Sequence, residues 1–368
     1  MDSMDGLRPP RGRRPFGGRR PFGGRRPFGG RRPFGGLRGW GGVSAMAGAC
    51  VLTASLTLLP LSHSVEEDAE RSPHRIATAV PAKADECEKP EASLPPSAAD
   101  GPTIQKIKAR ENRKLIVGVD QNSYRWGYRD PATGDLEGFD IDLARAIAEN
   151  ILGDPNAIVF RAIPTNQRIG ALENGTVDLV VRTMTINCAR IQQVAFSTAY
   201  FQAGQQVLAP RDSSVTGYNA SLAGKRVCTA EGSTAYEALK EKSFGAVFQD
   251  EHDEQPSDED RLTVPNQLDC LVRLQLGEVD AVVTDNALAA GQAAQDPAVE
   301  LRGEPFTTEY YGVAAKLGNE DLVRRVNQVL VGYRAGGDNS PWMTSYKKWL
   351  EAGLPGITAP PAPTYKNG

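Results

Sequence analysis

Leu172-Glu-Asn-Gly-Thr-Val-Asp-Leu-Val-Val181 and Leu274-Gln-Leu-Gly-Glu-Val-Asp-Ala-Val-Val283 are two writings of one pattern. Each reads as the tail of a helix, a glycine stop, and a buried strand that opens on Val-Asp. A polar cluster follows each strand: Arg182, Thr183 and Thr185 after the first, Thr284 and Asp285 after the second. Open α/β sheets bind ligands just beyond the carboxyl ends of their strands. Two such ends in two similar halves point to one small, charged molecule held between two lobes. A parallel sheet alternates helix and strand in any case, so the repeat alone also fits coincidence.

Working outward, 368 residues suffice for two or three domains, each large enough to bury a core. The net charge of −3 hides a division. Residues 1–42 hold eleven Arg and two Asp, a charge of +9, which leaves −12 for the remainder. An acidic body argues against nucleic acid as its partner. The basic head contains four copies of Arg-Arg-Pro-Phe-Gly-Gly over residues 13–36, whose Pro and Gly prevent a helix or a packed core. Part of this motif matches a twin-arginine export signal, but Gly stands where that signal needs apolar residues and Lys. An extended positive segment beside anionic lipid is the better fit.

Residues 43–61 carry no charge for nineteen positions, close to the thickness of a bilayer's hydrocarbon core. Arginines before it and Glu66, Glu67 and Asp68 after it orient the head inside and the body outside. The segment reads as a signal or a membrane anchor. Cleavage near Ser62-His63-Ser64, retention as an anchor, and lipidation at Cys50 all stay open, the last weakened by eleven further residues without charge past the cysteine. Residues 62–102, rich in Pro, Ala, Ser and Glu, read as a flexible tether on the extracytoplasmic side.

Cysteines suit that oxidising side. With Cys50 in the apolar segment, Cys87, Cys188, Cys228 and Cys270 allow three pairings. Cys228–Cys270, within the second half, is favoured, which leaves Cys87–Cys188. No CxxC spacing occurs, so a metal site is not expected.

The body is predicted to begin near Thr103. Strands are expected at 115–119, 158–163, 225–229 and 311–315, besides the two repeated ones, with a helix capped by Asp140. Residues 250–260 hold seven acidic residues and read as a solvated loop, since the spacing is not that of an EF-hand. The end, 356–368, reads as a loose tail.

The three histidines, His63, His74 and His252, lie in the tether or the acidic loop, which disfavours a Ser-His or Cys-His nucleophile. No P-loop or strand-GxGxxG-helix frame occurs, so no nucleotide cofactor is implied. What remains is a set of Arg, Thr and Asp at strand ends, suited to a zwitterion.

These residues carry a resemblance. Gly138-Phe-Asp-Ile-Asp-Leu143, the run from Arg168 through Val181, Thr183-Met-Thr185 with Arg190, Glu231-Gly-Ser-Thr234 and Val279 through Asp285 together resemble the family 3 extracellular solute-binding proteins of polar amino-acid ABC importers, over about residues 104–350. The anchored, cysteine-containing form is similar to actinobacterial glutamate-binding proteins. The resemblance implies an α/β, two-lobed periplasmic-binding-protein-like fold of type II, with two hinge strands near 205–209 and 307–311 and a ligand cleft between lobes. The first lobe would be 103–207 plus 307–355, the second 208–306. It further implies Arg190 as the clamp on the ligand α-carboxylate, since a guanidinium fork matches a carboxylate at two points. Thr183 and Thr185 would contact the same amino acid, and Ser233 and Thr234 would grip its carboxylate from a helix N-terminus. Asp285 would pair with the α-ammonium. Arg168, with Thr165 beside it, would hold a distal carboxylate, so the ligand is expected to be acidic, most simply glutamate. Arg182 departs from the small residue usual in many relatives and would either point outward or add a second positive charge. Asp120 stands where binders of basic ligands place an acid, and could instead pair with Arg125 or Arg182. Tyr124 and Trp126 could cover the ligand's aliphatic stem.

The expected function is therefore capture of glutamate for an ABC permease, without chemistry on the chain. Alternatives are the same role for glutamine, aspartate or another polar amino acid, a ligand sensor, or a dehydratase-like enzyme on the same scaffold.

Overall fold

The computed structural model describes residues 87–250 and 261–366. The basic head, the apolar segment 43–61 and nearly all of the acidic loop lie outside the described residues.

Two five-stranded mixed sheets are built on the same plan. The first runs Ile158–Ala162, Leu115–Val119, Leu179–Val180, Ala314–Lys316, Val194–Phe196. The second runs Thr263–Val264, Val227–Ala230, Ala281–Asp285, Gln205–Pro210, Val299–Arg302. In each, three parallel strands are followed by one antiparallel to the third. The two repeated strands, Leu179–Val180 and Ala281–Asp285, occupy the same central position. Each is preceded by a helix, Arg168–Glu173 or Gln267–Gln275. Each helix stops at a glycine with positive φ, Gly175 at 73° and Gly277 at 70°. That is the left-handed conformation in which a side chain would be strained.

The repeated Val-Asp has a structural cause. Asp178 accepts from the backbone N–H of Ile116 at 2.9 Å and pairs with Arg110 at 2.5 Å. Asp280 accepts from the backbone N–H of Arg226 at 2.8 Å and pairs with its guanidinium at 3.0 Å. Both acids thus pin the start of the central strand to its neighbour. Apolar side chains on both faces fill the cores, among them Val117, Leu179 and Ala315 in the first lobe and Leu208, Val282 and Val283 in the second.

The chain passes between lobes where Phe201–Ala203 pairs antiparallel with Glu309–Tyr311. This places the crossing slightly earlier than expected, because Gln205–Pro210 is already a strand of the second sheet. A Cβ on Gly204 would lie 2.5 Å from the carbonyl oxygen of Thr307, so glycine there lets the two crossings touch.

Several local expectations change. Asp140 does not cap; it lies inside the helix Phe139–Leu152, whose N-cap is Gly138. The predicted strand 311–315 is two strands, Glu309–Tyr311 and Ala314–Lys316, separated by Gly312 and Val313. Residues 87–101, read as tether from their Pro and Ser content, are packed on the first lobe. Ser93 is 3% exposed, donates to the Phe196 carbonyl at 2.6 Å and accepts from Asn327 at 2.9 Å. The end of the chain joins this strap: Ser93 N donates to Thr364 O and Lys366 N to Ser93 O. Backbone pairing, invisible in composition, holds both segments. The disulfide Cys87–Cys188 ties the strap to the first lobe, and Cys228–Cys270 links the strand Val227–Ala230 to the helix Gln267–Gln275 within the second.

Candidate functional site

The carboxyl ends of the two central strands face each other, and buried charges converge there. Arg168, at the first turn of its helix, is 4% exposed and donates to three carbonyls: Thr165 at 2.8 Å, Arg182 at 3.4 Å and Gly232 at 3.2 Å. Arg190 sits on the short helix Cys188–Ile191, capped by Asn187, directly beside the disulfide at Cys188. Its guanidinium donates to Thr185 O at 2.9 Å and to the same Gly232 O at 3.0 Å. One carbonyl of the second lobe thus receives two arginines of the first.

Gly232 can serve because it is glycine. Its φ is +71°, and a Cβ would stand 2.9 Å from Asn166 Cα. Asn166 in turn donates to Glu231 across the same contact.

Arg182 is fully buried. It pairs with Asp120 at 3.0 Å and donates to Thr165 Oγ1 at 3.0 Å and to Asn266 Oδ1 at 3.3 Å. Asp120 is fixed on its other side by the N–H groups of Gln121 and Asn122 and by Ser123 Oγ. Of the two arginines considered as partners for Asp120, Arg182 is the one it pairs with.

Thr183 adopts φ +41°, unusual for a β-branched residue, and is 7% exposed. Its N–H donates to Asp140 Oδ2 at 3.0 Å, while Tyr200 OH donates to Asp140 Oδ1 at 2.8 Å. Asp140, which sequence reading treated as a cap, instead holds the strand end in place. Burial pushes its carboxyl up to about 7. Thr185 forms an isolated bridge with Tyr311.

The second lobe supplies another set. Ser233 caps the helix Thr234–Glu241, accepting from Tyr236 N at 3.1 Å. Thr234 Oγ1 donates to Glu309 Oε2 at 3.1 Å and accepts from Gln205 Nε2 at 2.7 Å. Asp285 accepts from Gln205 Nε2 at 2.5 Å and from Tyr311 OH. Burial, then the charge of Glu309, raises the Asp285 carboxyl to about 7.

The arginines feel the opposite pressure. Burial, then the charges of Arg190 and Arg182, lowers the Arg168 guanidinium well below its usual range. Burial lowers Arg190, against the pull of Glu309 and Asp285. Arg168, Arg182 and Arg190 therefore face Asp120, Asp140, Asp285 and Glu309, three guanidinium groups against four acids, of which Asp140 and Asp285 are both raised to about 7, and all are nearly withdrawn from water.

The structure thus gathers Thr165, Arg168, Arg182, Arg190, Thr183, Thr185, Asp120, Ser233, Thr234 and Asp285 into one region. Tyr124 is not part of that hydrogen-bonded set. Its ring packs edge-on against Tyr128 at 5.0 Å, beneath Arg125. Trp126 is core, 4.8 Å edge-on from Phe201, and its Nε1 donates to Ala287 O of the second lobe. Sequence reading missed Gln205, Glu309, Tyr311 and Asn266. The signal for the first three was their place at the crossings, where a residue of either lobe lies beside the cleft.

Comparison with known proteins gives this arrangement its family. The chain belongs to the bacterial extracellular solute-binding proteins, family 3, whose model matches residues 115–352. It is 34% identical over 249 residues to the ABC transporter glutamine-binding protein GlnH of Bacillus subtilis (strain 168), covering 68% of this chain and 85% of that one. It is 29% identical over 242 residues to the glutamate-binding protein GluB of Corynebacterium glutamicum, covering 63% and 77%. Among solved structures it is similar to an ancestral arginine-binding protein bound to glutamine, at TM-score 0.56 and 33% identity, covering 64% of this chain and 97% of that one. The fold is that of the periplasmic binding proteins, and the chain is an extracytoplasmic, amino-acid-binding transport component rather than an enzyme.

Proposed function

We propose that this family member captures glutamine between its lobes and delivers it to an ABC permease, and that its N-terminal apolar segment tethers it to the membrane. The carrying observation is the Arg182–Asp120 ion pair, buried where the first lobe meets Asn266 of the second. An acidic ligand would need a spare positive charge on the side-chain side. Arg182 is already paired with Asp120, and the acids gathered around the three arginines leave no positive charge in excess. A ligand that is neutral overall suits a neutral site, because a net charge left unpaired in a desolvated cleft is costly. Similarity to the glutamine-binding protein of B. subtilis and to a structure bound to glutamine supports the same choice.

In this reading the α-carboxylate meets the Arg190 fork and the free N–H groups of the Thr234–Glu241 helix, and the α-ammonium meets Asp285. Ligand binding would compete with Gly232 O for the Arg190 donors. The terminal amide, both donor and acceptor, would find Asp120 and Arg182 as matching groups.

Glutamate is the second reading. It is favoured by Arg168, whose hydrogen bonds among the described residues all go to neutral carbonyls. The resemblance to glutamate-binding proteins points the same way.

A thermal-shift panel of the twenty amino acids on the full chain tests the role. A ligand that binds only the folded state raises the midpoint. Glutamine should raise it most, and Arg190→Ala should remove every shift. A panel in which no amino acid stabilises the protein would overturn the proposal.

A further inference from the structure

The two disulfides differ in their surroundings. Cys228 and Cys270 are both 0% exposed, inside the core of the second lobe. Cys188 is exposed and Cys87 half-buried, so the other pair lies at the surface of the first lobe. That exposed pair stands beside a functional residue. Cys188 opens the four-residue helix Cys188–Ile191, and Arg190 follows two positions on. One helical turn is too short to hold itself. The hydrogen bonds that shape it are local: Asn187 Oδ1 accepts from Arg190 N at 2.9 Å, Asn187 O from Ile191 N at 3.1 Å, and Arg190 O from Gln193 N at 2.9 Å. The lobe grips the chain before the turn, where Ile186 N donates to Tyr310 O, and after it, in the strand Val194–Phe196. Across the turn itself the strap is the fastening. Ser93 anchors the strap in the lobe through Phe196 O and Asn327, Pro90 and Ala92 line one crevice with Ile191, and the disulfide closes the far end onto Cys188.

We propose that the Cys87–Cys188 disulfide positions the Arg190 guanidinium for the ligand, and that a dithiol, by opening this bond, lowers affinity while the protein stays folded. The inference rests on the reading of Arg190 as the clamp on an amino acid's carboxylate, and adds a control to it. A binding group has to be held within about 0.5 Å of its productive geometry. Arg190 is 8% exposed, and its Nη1 and Nη2 already donate to Thr185 O and Gly232 O, so a shift of the turn displaces both contacts together.

The chemistry is thiol–disulfide exchange. One thiolate of the dithiol attacks the exposed Cys188 sulfur, the S–S bond breaks, and Cys87 leaves as its thiolate. The second thiolate of the reductant then displaces Cys188 and closes the reductant's own disulfide. Two electrons pass from the dithiol to the pair, and its two protons end on Cys87 and Cys188. Cys228–Cys270 offers no exposed sulfur to the same attack. One disulfide therefore secures the fold, and the other secures the site.

Titration calorimetry with L-glutamine on the full chain compares three forms: the oxidised protein, the protein treated with dithiothreitol under native conditions, and the double variant Cys87→Ser, Cys188→Ser. Alkylation followed by mass spectrometry identifies the opened pair. Cys87 and Cys188 should be labelled while Cys228 and Cys270 are protected. The dissociation constant should rise roughly tenfold in both altered forms, by analogy with the loss of a residue that orients a binding group. Arg190→Lys keeps the charge and loses the fork, so it binds more weakly by itself. Adding the two serines to it should weaken binding little further, because both changes act through one contact. A merely structural disulfide would lower the unfolding midpoint in denaturant and leave the dissociation constant of the folded protein unchanged. That constant unchanged in the reduced protein, or in the serine variant if reduction opens both pairs, overturns the inference while the proposed function stands. A wild type that binds no amino acid overturns the proposed function, and the inference with it.

Discussion

Arg182 and Asp120 face each other at 3.0 Å in an ion pair whose guanidinium has no solvent-accessible surface. Such pairs gain little over an apolar replacement, because desolvation cancels the attraction. Their value lies in geometry, here a buried polar pair of the first lobe that reaches Asn266 of the second. Removing one partner is a different matter, since the other charge is stranded.

Asp120→Asn should therefore lower stability by about 3 kcal/mol, read from denaturant unfolding. It should also free Arg182 to attract an anion. The ratio of glutamine to glutamate affinity should fall, and a ratio that rises would show that Arg182 does not face the side-chain end of the ligand.

Gly232 links Arg168 and Arg190 to the second lobe. Gly232→Ala places a Cβ 2.9 Å from Asn166 Cα, at a φ of +71° that alanine resists. Binding should weaken roughly tenfold or more, in keeping with about 1–3 kcal/mol of backbone strain at a contact made only when the lobes meet. Calorimetry reads this directly. Wild-type affinity in the variant would mean that the turn need not approach Asn166.

The Asp285 carboxyl, raised to about 7 by burial and by Glu309, gives binding a pH dependence. The ammonium needs the charged form, so affinity should decline as pH falls below 7, approaching tenfold per unit. The stability of the empty protein should move the other way. Between about 4 and 7 the folded state keeps a proton that the unfolded chain has lost, so stability falls as pH rises through that range. Asp140, also raised to about 7, acts in the same direction. Thermal unfolding without ligand at pH 5 and pH 8 checks the sign, and Asp285→Asn should flatten the binding dependence and reduce the stability dependence to the share of Asp140.

Cys228–Cys270 closes a separation of 42 residues between two buried positions of one core. Replacing both by Ala should cost about 4 kcal/mol on the chain-entropy account. Unfolding of the double variant in denaturant measures it, with little change expected in ligand preference because neither sulfur contacts the charged cluster.

Much of this was readable in the chain because the same physics was written twice. Leu172–Val181 and Leu274–Val283 share a helix, a left-handed glycine and a pinned Val-Asp, and they fold to equivalent central strands. Asp285 could be named because it ends the second repeated strand, whereas Arg168 and Arg190 were named through the resemblance to the solute-binding family. Gln205, Glu309 and Tyr311 could not. Their partners lie across a crossing, Gln205 reaching Asp285 over 80 positions and Thr234 reaching Glu309 over 75. The choice of Arg182 for Asp120 was hidden for another reason, since only the pairing of the strands Leu115–Val119 and Leu179–Val180 brings the two together, and with it was hidden the argument for a neutral ligand over glutamate. Residues 87–101 misled through composition: Pro and Ser suggested a tether, whereas a disulfide and backbone pairing with the end of the chain hold them down.

The balance of charge between the lobes is tested most directly by calorimetric titration of the full chain with glutamine and with glutamate under identical conditions at pH 7.5. One-to-one binding with glutamine at least about tenfold tighter is the predicted result, a difference of about 1.4 kcal/mol. Glutamate binding as tightly as glutamine, or more tightly, would contradict it.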